Sequence, residues 1–151
     1  RECKKSGVDG LIVVDLSFPD NKKFAYLCKK NSICFIQLIA PTTSIKRMKE
    51  IIKISHEMVY MISMISTTGS ALKVTTKKIM KNFKTIKKIN PTKNIAIGFG
   101  ITEKTIGSLK KADGLVVGSA ICKEITNSIK KRQNTVINVT NLVRRLKNKI
   151  K

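Results

Sequence analysis

Two stretches of the chain carry residues whose types and spacing suit an anion. Gly98-Phe99-Gly100-Ile101 closes one short apolar run, and Gly118-Ser119-Ala120-Ile121 closes the next and opens directly into a helical pattern. Glycines let a backbone approach a ligand closely, the unpaired N–H groups of a helix start donate to it, and the Ser119 hydroxyl adds a further donor. Either motif alone reads as a tight turn after a strand. Together, one strand–helix unit apart, they match the phosphate cup that a barrel of alternating strands and helices builds from its last two strands, with a pair of ordinary turns as the alternative. Acid–base chemistry is thinly provided. Of the nine Asp and Glu residues only Asp15 closes a strand-like run, and one carboxylate is not a pair, so it reads as a loop anchor before a catalytic acid. The single histidine, His56, follows a helical pattern and reads as a solvated helix-end residue with no catalytic role.

The elements that must position these residues are written in short apolar runs rich in Ile and Val: Leu11 to Val14, Ile33 to Ile39, Met58 to Ile62, Asn94 to Ile97 and Gly114 to Val117. Each is too short for a helix and reads as a buried parallel strand, apolar on both faces. Helical patterns lie between and after them: Asp20 to Lys30, Ser44 to Ser55, Val74 to Ile89, Thr102 to Lys111, Ala120 to Ile129 and Val136 to Ile150, the last with Val139, Leu142, Val143 and Leu146 at helical spacing. Asp20, Ser44 and Thr102 are the expected N-caps, and Glu103 would sit in a first turn where a carboxylate suits the helix dipole. At the start, Glu2 to Gly7 reads as a last helical turn with a glycine cap, so the chain is expected to begin in mid-fold. Alternating strand and helix allows an α/β doubly wound sheet or part of a (β/α)8 barrel, and the helix-end start favours the barrel.

Composition limits the function classes. The 151 residues suit one domain, and 31 Lys plus Arg against 9 Asp plus Glu give a formal charge of +22, which raises the question of a polyanionic partner. Only Arg1, Arg47, Arg132, Arg144 and Arg145 are arginine, and aromatic residues are 5% of the chain, so both the bidentate phosphate fork and the stacking platform are scarce. Abundant Lys, Ile and Asn are also what an A/T-rich genome encodes by default. A basic, non-enzymatic nucleic-acid-binding α/β domain is therefore the alternative reading. Lys77, Lys78, Lys81, Lys84, Lys87 and Lys88 read as the solvated side of one helix. No apolar run has the length of a membrane span, and the four cysteines form no C-x-x-C pair, so a soluble chain with reduced thiols and no metal framework is expected.

The order and spacing of Gly7-Val8-Asp9-Gly10-Leu11-Ile12-Val13-Val14-Asp15-Leu16, Leu38-Ile39-Ala40-Pro41-Thr42, Thr68-Gly69, Gly98-Phe99-Gly100-Ile101 and Ala112-Asp113-Gly114-Leu115-Val116-Val117-Gly118-Ser119-Ala120-Ile121 resembles the α chain of tryptophan synthase, from about Cys3 to Glu124. The resemblance implies a TIM barrel with its fourth to eighth strands in this chain, residues 1–151 forming the carboxy-terminal part of one barrel domain. It implies a lyase of tryptophan biosynthesis that cleaves indole-3-glycerol phosphate to indole and glyceraldehyde 3-phosphate by a retro-aldol reaction. It also implies a β chain as partner in an α2β2 tetramer, with pyridoxal phosphate in that partner and no cofactor or metal in this chain, and a bacterial cytoplasm or a plastid stroma as compartment. Gly69, Gly100, Gly118 and Ser119 would hold the phosphate; Ile12, Ile39, Tyr60, Thr68 and Phe99 would line the indole pocket. The family's two catalytic carboxylates belong to its first strands, so this chain is expected to supply the phosphate half of the site and to be unstable and inactive alone. Three residues depart from the family pattern: Ser66 replaces a glycine, Met64 a polar residue, and Ser17 the proline after Asp15-Leu16.

Overall fold

The computed structural model describes residues 2–63, 65–67, 70–72 and 75–151. A short helix, α1 (Glu2–Lys5), ends on Gly7 at φ +77°, with the Gly7 N–H donating to the Lys4 carbonyl and the Val8 N–H to that of Cys3. This is the expected glycine cap, since the left-handed conformation costs glycine nothing. There follow β1 (Gly10–Ile12), α2 (Asp20–Lys30), β2 (Cys34–Ile39), α3 (Ile45–Ile54), β3 (Met58–Ile62), β4 (Ile65–Thr67), β5 (Ser70–Leu72), α4 (Thr76–Ile89), β6 (Asn94–Gly98), β7 (Gly114–Val116), α5 (Ser119–Lys130) and α6 (Thr135–Asn148).

Five strands form one parallel sheet in the order β1-β2-β3-β6-β7. Each strand joins the sheet beside its predecessor and the order never reverses. A doubly wound sheet reverses at its switch point, whereas a barrel wall does not, so the winding is that of a barrel. β4 and β5 form a separate antiparallel hairpin, pairing Ile65 with Leu72.

Strand side chains alternate between faces, and burial follows that alternation. Phe35, Gln37 and Ile39 of β2, Val59 and Met61 of β3, and Ile95 and Ile97 of β6 are all buried. Apart from Phe35 and Gln37 they share one core cluster with Met48, Ile51 and Ile52 of α3, Ile79, Phe83 and Ile86 of α4, and Leu142 and Leu146 of α6. Phe35 packs with Ala25, Cys28 and Ile33 at α2, and Gln37 accepts a hydrogen bond from Asn21 of α2 at 3.0 Å. The helices thus cover one face, which we call outer. The opposite, inner face carries Ile12, Ile36, Leu38, Tyr60, Ile62, Ala96, Gly98 and Val116. The expectation of strands buried on both faces holds for β6, whose Ile95 to Gly98 are all buried, and not for the edge strands: Ile12 is 47% exposed and Val116 44%.

Several helix starts differ from expectation. Ser44 caps α3 by accepting from the Arg47 N–H, but Pro19 and not Asp20 precedes α2, because proline has no N–H to leave unpaired and suits a helix start; Asp20 falls in the first turn. The helix expected over Thr102 to Lys111 shrinks to a 3-10 turn at Ile106–Leu109. Thr105 Oγ1 accepts from the Thr102 N–H at 3.0 Å, and Gly107 sits in the middle of the segment, so local side-chain bonding and glycine's backbone entropy both oppose an α-helix. Thr102 therefore caps nothing. His56 is likewise not merely solvated: its Nδ1 accepts from the Phe35 N–H at 2.9 Å and ties the end of α3 to the start of β2.

The charged surface is mostly as expected. Lys77, Lys78, Lys81, Lys84 and Lys88 lie along α4, and Lys87 instead pairs with Asp113 at 2.8 Å. Asp113 also accepts from the Ile95 N–H at 2.9 Å, so this pair stitches α4 to the segment between β6 and β7. Lys93 is buried and donates to the carbonyls of Ser55 and His56, and burial holds its ammonium below the usual lysine range. Glu103, expected in a helical first turn, binds the Arg145 guanidinium at 2.9 Å and anchors α6. That hydrogen bond holds its carboxyl below the ordinary 4.5, against desolvation and aided by the charges of Arg145 and Lys149. A carboxylate with a lowered pKa contributes stability that is fully present above the ordinary value and lost as pH falls through the lowered one. Glu103→Gln should therefore lower the Tm of the full-length protein at neutral pH, with the difference vanishing under acid; a pH-independent difference would exclude the ion pair as its cause.

Candidate phosphate-binding site

The carboxyl ends of β6 and β7 bring the two glycine motifs to the same end of the sheet. β6 runs out at Gly98, and the next two residues, Phe99 and Gly100, both take left-handed backbone at φ +69°. Glycine does so freely; Phe99 does so at a cost of roughly 1–2 kcal/mol, so something must hold the corner. Ser63, buried at the end of β3, does: its N–H donates to the Gly98 carbonyl at 2.9 Å, its hydroxyl lies 2.7 Å from the same oxygen, and that hydroxyl also meets the Phe99 carbonyl.

Gly98 has a separate reason to be glycine. Register pairs Ile62 with Gly98 and Tyr60 with Ala96, and a Cβ on Gly98 would fall inside the Tyr60 hydroxyl. The Tyr60 ring consequently lies over Gly98 and meets Phe99 edge to face, with centroids 5.9 Å apart and planes at 86°. Burial pushes the Tyr60 hydroxyl above the usual tyrosine range, so it stays protonated and able to donate. Phe99 is 57% exposed, which leaves ring surface free for a ligand.

At the neighbouring corner Gly118 precedes α5. Its φ of −107° suits any residue, and no described atom stands within 4 Å of a Cβ built there. Neither backbone nor packing among the described residues calls for glycine. What its absent side chain leaves is open space beside the first turn of α5, a helix with no side-chain cap on its leading N–H groups. Ser119, the first residue of that helix, is exposed there.

The remaining expected site residues divide. Ile12, Tyr60 and Phe99 stand on the inner face or at its rim. Ile39 does not: it is fully buried in the helix-side core, and by alternation the inner residue of that strand end is Leu38, paired in register with Tyr60. Thr68, Gly69 and Met64 lie outside the described residues, and the Ser66 backbone belongs to β4. Asp15 is exposed in the turn beyond β1. Sequence reasoning misses Ser63, Leu38 and the role of Gly98. Of these only Ser63 carries a local signal, as a polar residue closing the apolar run Met58 to Ile62.

Elsewhere, a groove of about 650 Å³ runs along α4 among Lys77, Lys78, Lys81, Lys84 and Lys88; no aromatic residue lines it, as a platform for bases would require. Among the described residues no three His, Cys, Asp or Glu side chains are placed to hold a metal, and no helix is long and apolar enough to cross a membrane.

Comparison with known proteins gives one answer. The family model described as tryptophan synthase alpha chain matches residues 1–151. The chain is 70% identical over 148 residues to the tryptophan synthase alpha chain of Pelagibacter ubique, covering 98% of this chain and 56% of that protein, and 36% identical over 106 residues to that of Methanocaldococcus jannaschii, covering 69% and 36%. It therefore spans about half the length of the Pelagibacter relative. Among solved structures, the tryptophan synthase complex of Pyrococcus furiosus aligns with TM-score 0.76 and 30% identity over 97% of this chain and 57% of that one. The alpha chain of Legionella pneumophila aligns with TM-score 0.75 at 24% identity, covering 99% and 54%, and so supports the fold alone.

The packing of Tyr60 over Gly98 is testable by stability. Gly98→Ala should lower the denaturation free energy by about 1–3 kcal/mol through overpacking. Gly114→Ala, whose Cβ would make only an ordinary 3.9 Å contact with Ala96, should be tolerated, and equal losses in the two variants would refute the packing argument.

Proposed function

Since the chain belongs to the tryptophan synthase alpha chain family, with the TIM-barrel fold of its relatives, we propose that it forms the carboxy-terminal portion of an indole-3-glycerol phosphate lyase and supplies the phosphate half of the active site. The backbone N–H groups at Gly100, Gly118 and Ser119, with the Ser119 hydroxyl and Gly69, bind the phosphate of the substrate. Phe99 and Tyr60 flank its indole ring, with Ile12 and Leu38 completing the apolar wall. The observation that carries this reading is Gly118: a glycine that neither its φ nor packing among the described residues requires, leaving space beside the start of α5, where an anion meets free donors and the positive end of the helix dipole.

The chemistry needs an acid to protonate the indole ring carbon and a base or anion at the ring nitrogen and glycerol hydroxyl, as the carbon–carbon bond breaks to indole and glyceraldehyde 3-phosphate. Among the carboxylates of this chain, Asp15 lies past the end of β1, exposed and without a second acid beside it in the sequence, so the catalytic pair is assigned to residues outside residues 1–151. This chain then acts by orienting the substrate, which fixes the reacting carbon relative to those acids. A β chain is the proposed partner, as in the α2β2 complex described for Pyrococcus furiosus, with pyridoxal phosphate in that chain and indole as the molecule passed on. The proposed compartment is the cytoplasm or a plastid stroma.

Ligand binding by variants of the full-length protein tests the assignment. Gly118→Val places a side chain in the anion's path and should weaken glycerol 3-phosphate binding by more than about a hundredfold, since a steric block costs more than one lost donor. Ser119→Ala should weaken it about ten- to a hundredfold, the worth of a charge-assisted hydrogen bond. Both should leave indole binding within about twofold, since the ring occupies the other, apolar half of the pocket. Equal loss of both ligands would mean that these residues are turns and not donors.

A further inference from the structure

We propose that Ser63 is a positioning residue of this site, whose hydroxyl holds the Gly98-Phe99-Gly100 corner in the one conformation that serves both halves of the substrate. The inference rests on the phosphate-site reading above. Beyond Gly98 the chain leaves the β3–β6 ladder, in which Ile62 and Gly98 are the last pair. The next two residues hold positive φ, a state that Phe99 leaves readily unless it is pinned. The only described side-chain hydrogen bonds to this corner come from Ser63: its hydroxyl faces the Gly98 and Phe99 carbonyls while its N–H donates to Gly98. With Ser63 5% exposed, water is a poor substitute for that donor. The corner it pins carries the Phe99 ring against Tyr60 on one side and the Gly100 backbone on the other, so one hydroxyl sets the ring-binding and the anion-binding surfaces together.

That coupling separates Ser63 from the anion donors themselves. In the full-length protein Ser63→Ala should weaken glycerol 3-phosphate and indole together, each about tenfold, and raise the KM for indole-3-glycerol phosphate while kcat stays within about threefold. Ser63→Thr, which keeps the hydroxyl, should restore both affinities. Thermal melts identify any variant that does not fold, and binding is then compared well below the Tm with Ser63→Cys, which keeps the volume but donates weakly and should behave like Ser63→Ala. Unchanged affinities in folded Ser63→Ala, with only a lower Tm, would overturn the proposal and leave Ser63 a structural residue. If Gly118→Val also leaves glycerol 3-phosphate binding intact, the phosphate-site reading fails; if Gly118→Val abolishes it while Ser63→Ala does not weaken it, only the role of Ser63 fails.

Discussion

The parallel pairing of β3 with β6 governs what reaches the carboxyl end of the sheet. With Ile62 opposite Gly98 and Tyr60 opposite Ala96, Val59, Met61, Ile95 and Ile97 must all point into the helices, and Tyr60 must lie over a position where only glycine fits. A slip of β3 by one residue would turn Tyr60 into the helix layer and put Val59 and Met61 on the inner face. The register is held from the outer side by a fully buried set, since Val59, Ile86, Ile95 and Ile97 are 0% exposed. Truncating any of the larger ones would cost about 2–5 kcal/mol, which makes register the most heavily defended feature of the sheet.

Inner-face chemistry follows from that outer-face packing. The outer core takes the fully buried aliphatic side chains, and the inner face keeps a polar-tipped ring at Tyr60, small residues at Ala96 and Gly98, and less buried apolar groups at Ile12, Ile36, Leu38, Ile62, Phe99 and Val116. Such a surface is apolar with a few convergent donors, the kind that binds a small molecule with one charged end. Charge of the chain as a whole plays little part. The lysine-rich side of α4 is exposed, and two of the paired cations, Lys87 on Asp113 and Arg145 on Glu103, fasten α4 and α6 to the segments that flank β6 and β7.

Much of this is legible in the residues. The runs Met58 to Ile62 and Asp20 to Lys30 coincide with β3 and α2, because each is bounded by residues that end its own kind of element. The two glycine motifs likewise stand where the runs place them, at the end of β6 and between β7 and α5. What the residues hide is phase. In the run Leu38-Ile39 both side chains are apolar, so nothing local says which one faces the helices, and the expectation of Ile39 in the indole pocket puts it on the wrong side. The segment from Thr102 to Lys111 has helical composition, but Glu103 is claimed by Arg145, 42 residues away in sequence, and no local pattern carries that contact. Ser63 marks the end of its apolar run, but its role is hidden in the same way, because its partners are main-chain carbonyls 35 and 36 residues distant.

The central claim is that the corners at Gly100 and Gly118 are one anion site made of main-chain donors. Amide chemical shifts of the full-length protein, followed as glycerol 3-phosphate is added, test it most directly. Saturable shifts with a common Kd are expected at the amides of Gly100, Gly118 and Ser119, and none along the lysines of α4. Shifts that follow Lys77 to Lys88 and leave Gly118 and Ser119 unmoved would contradict it.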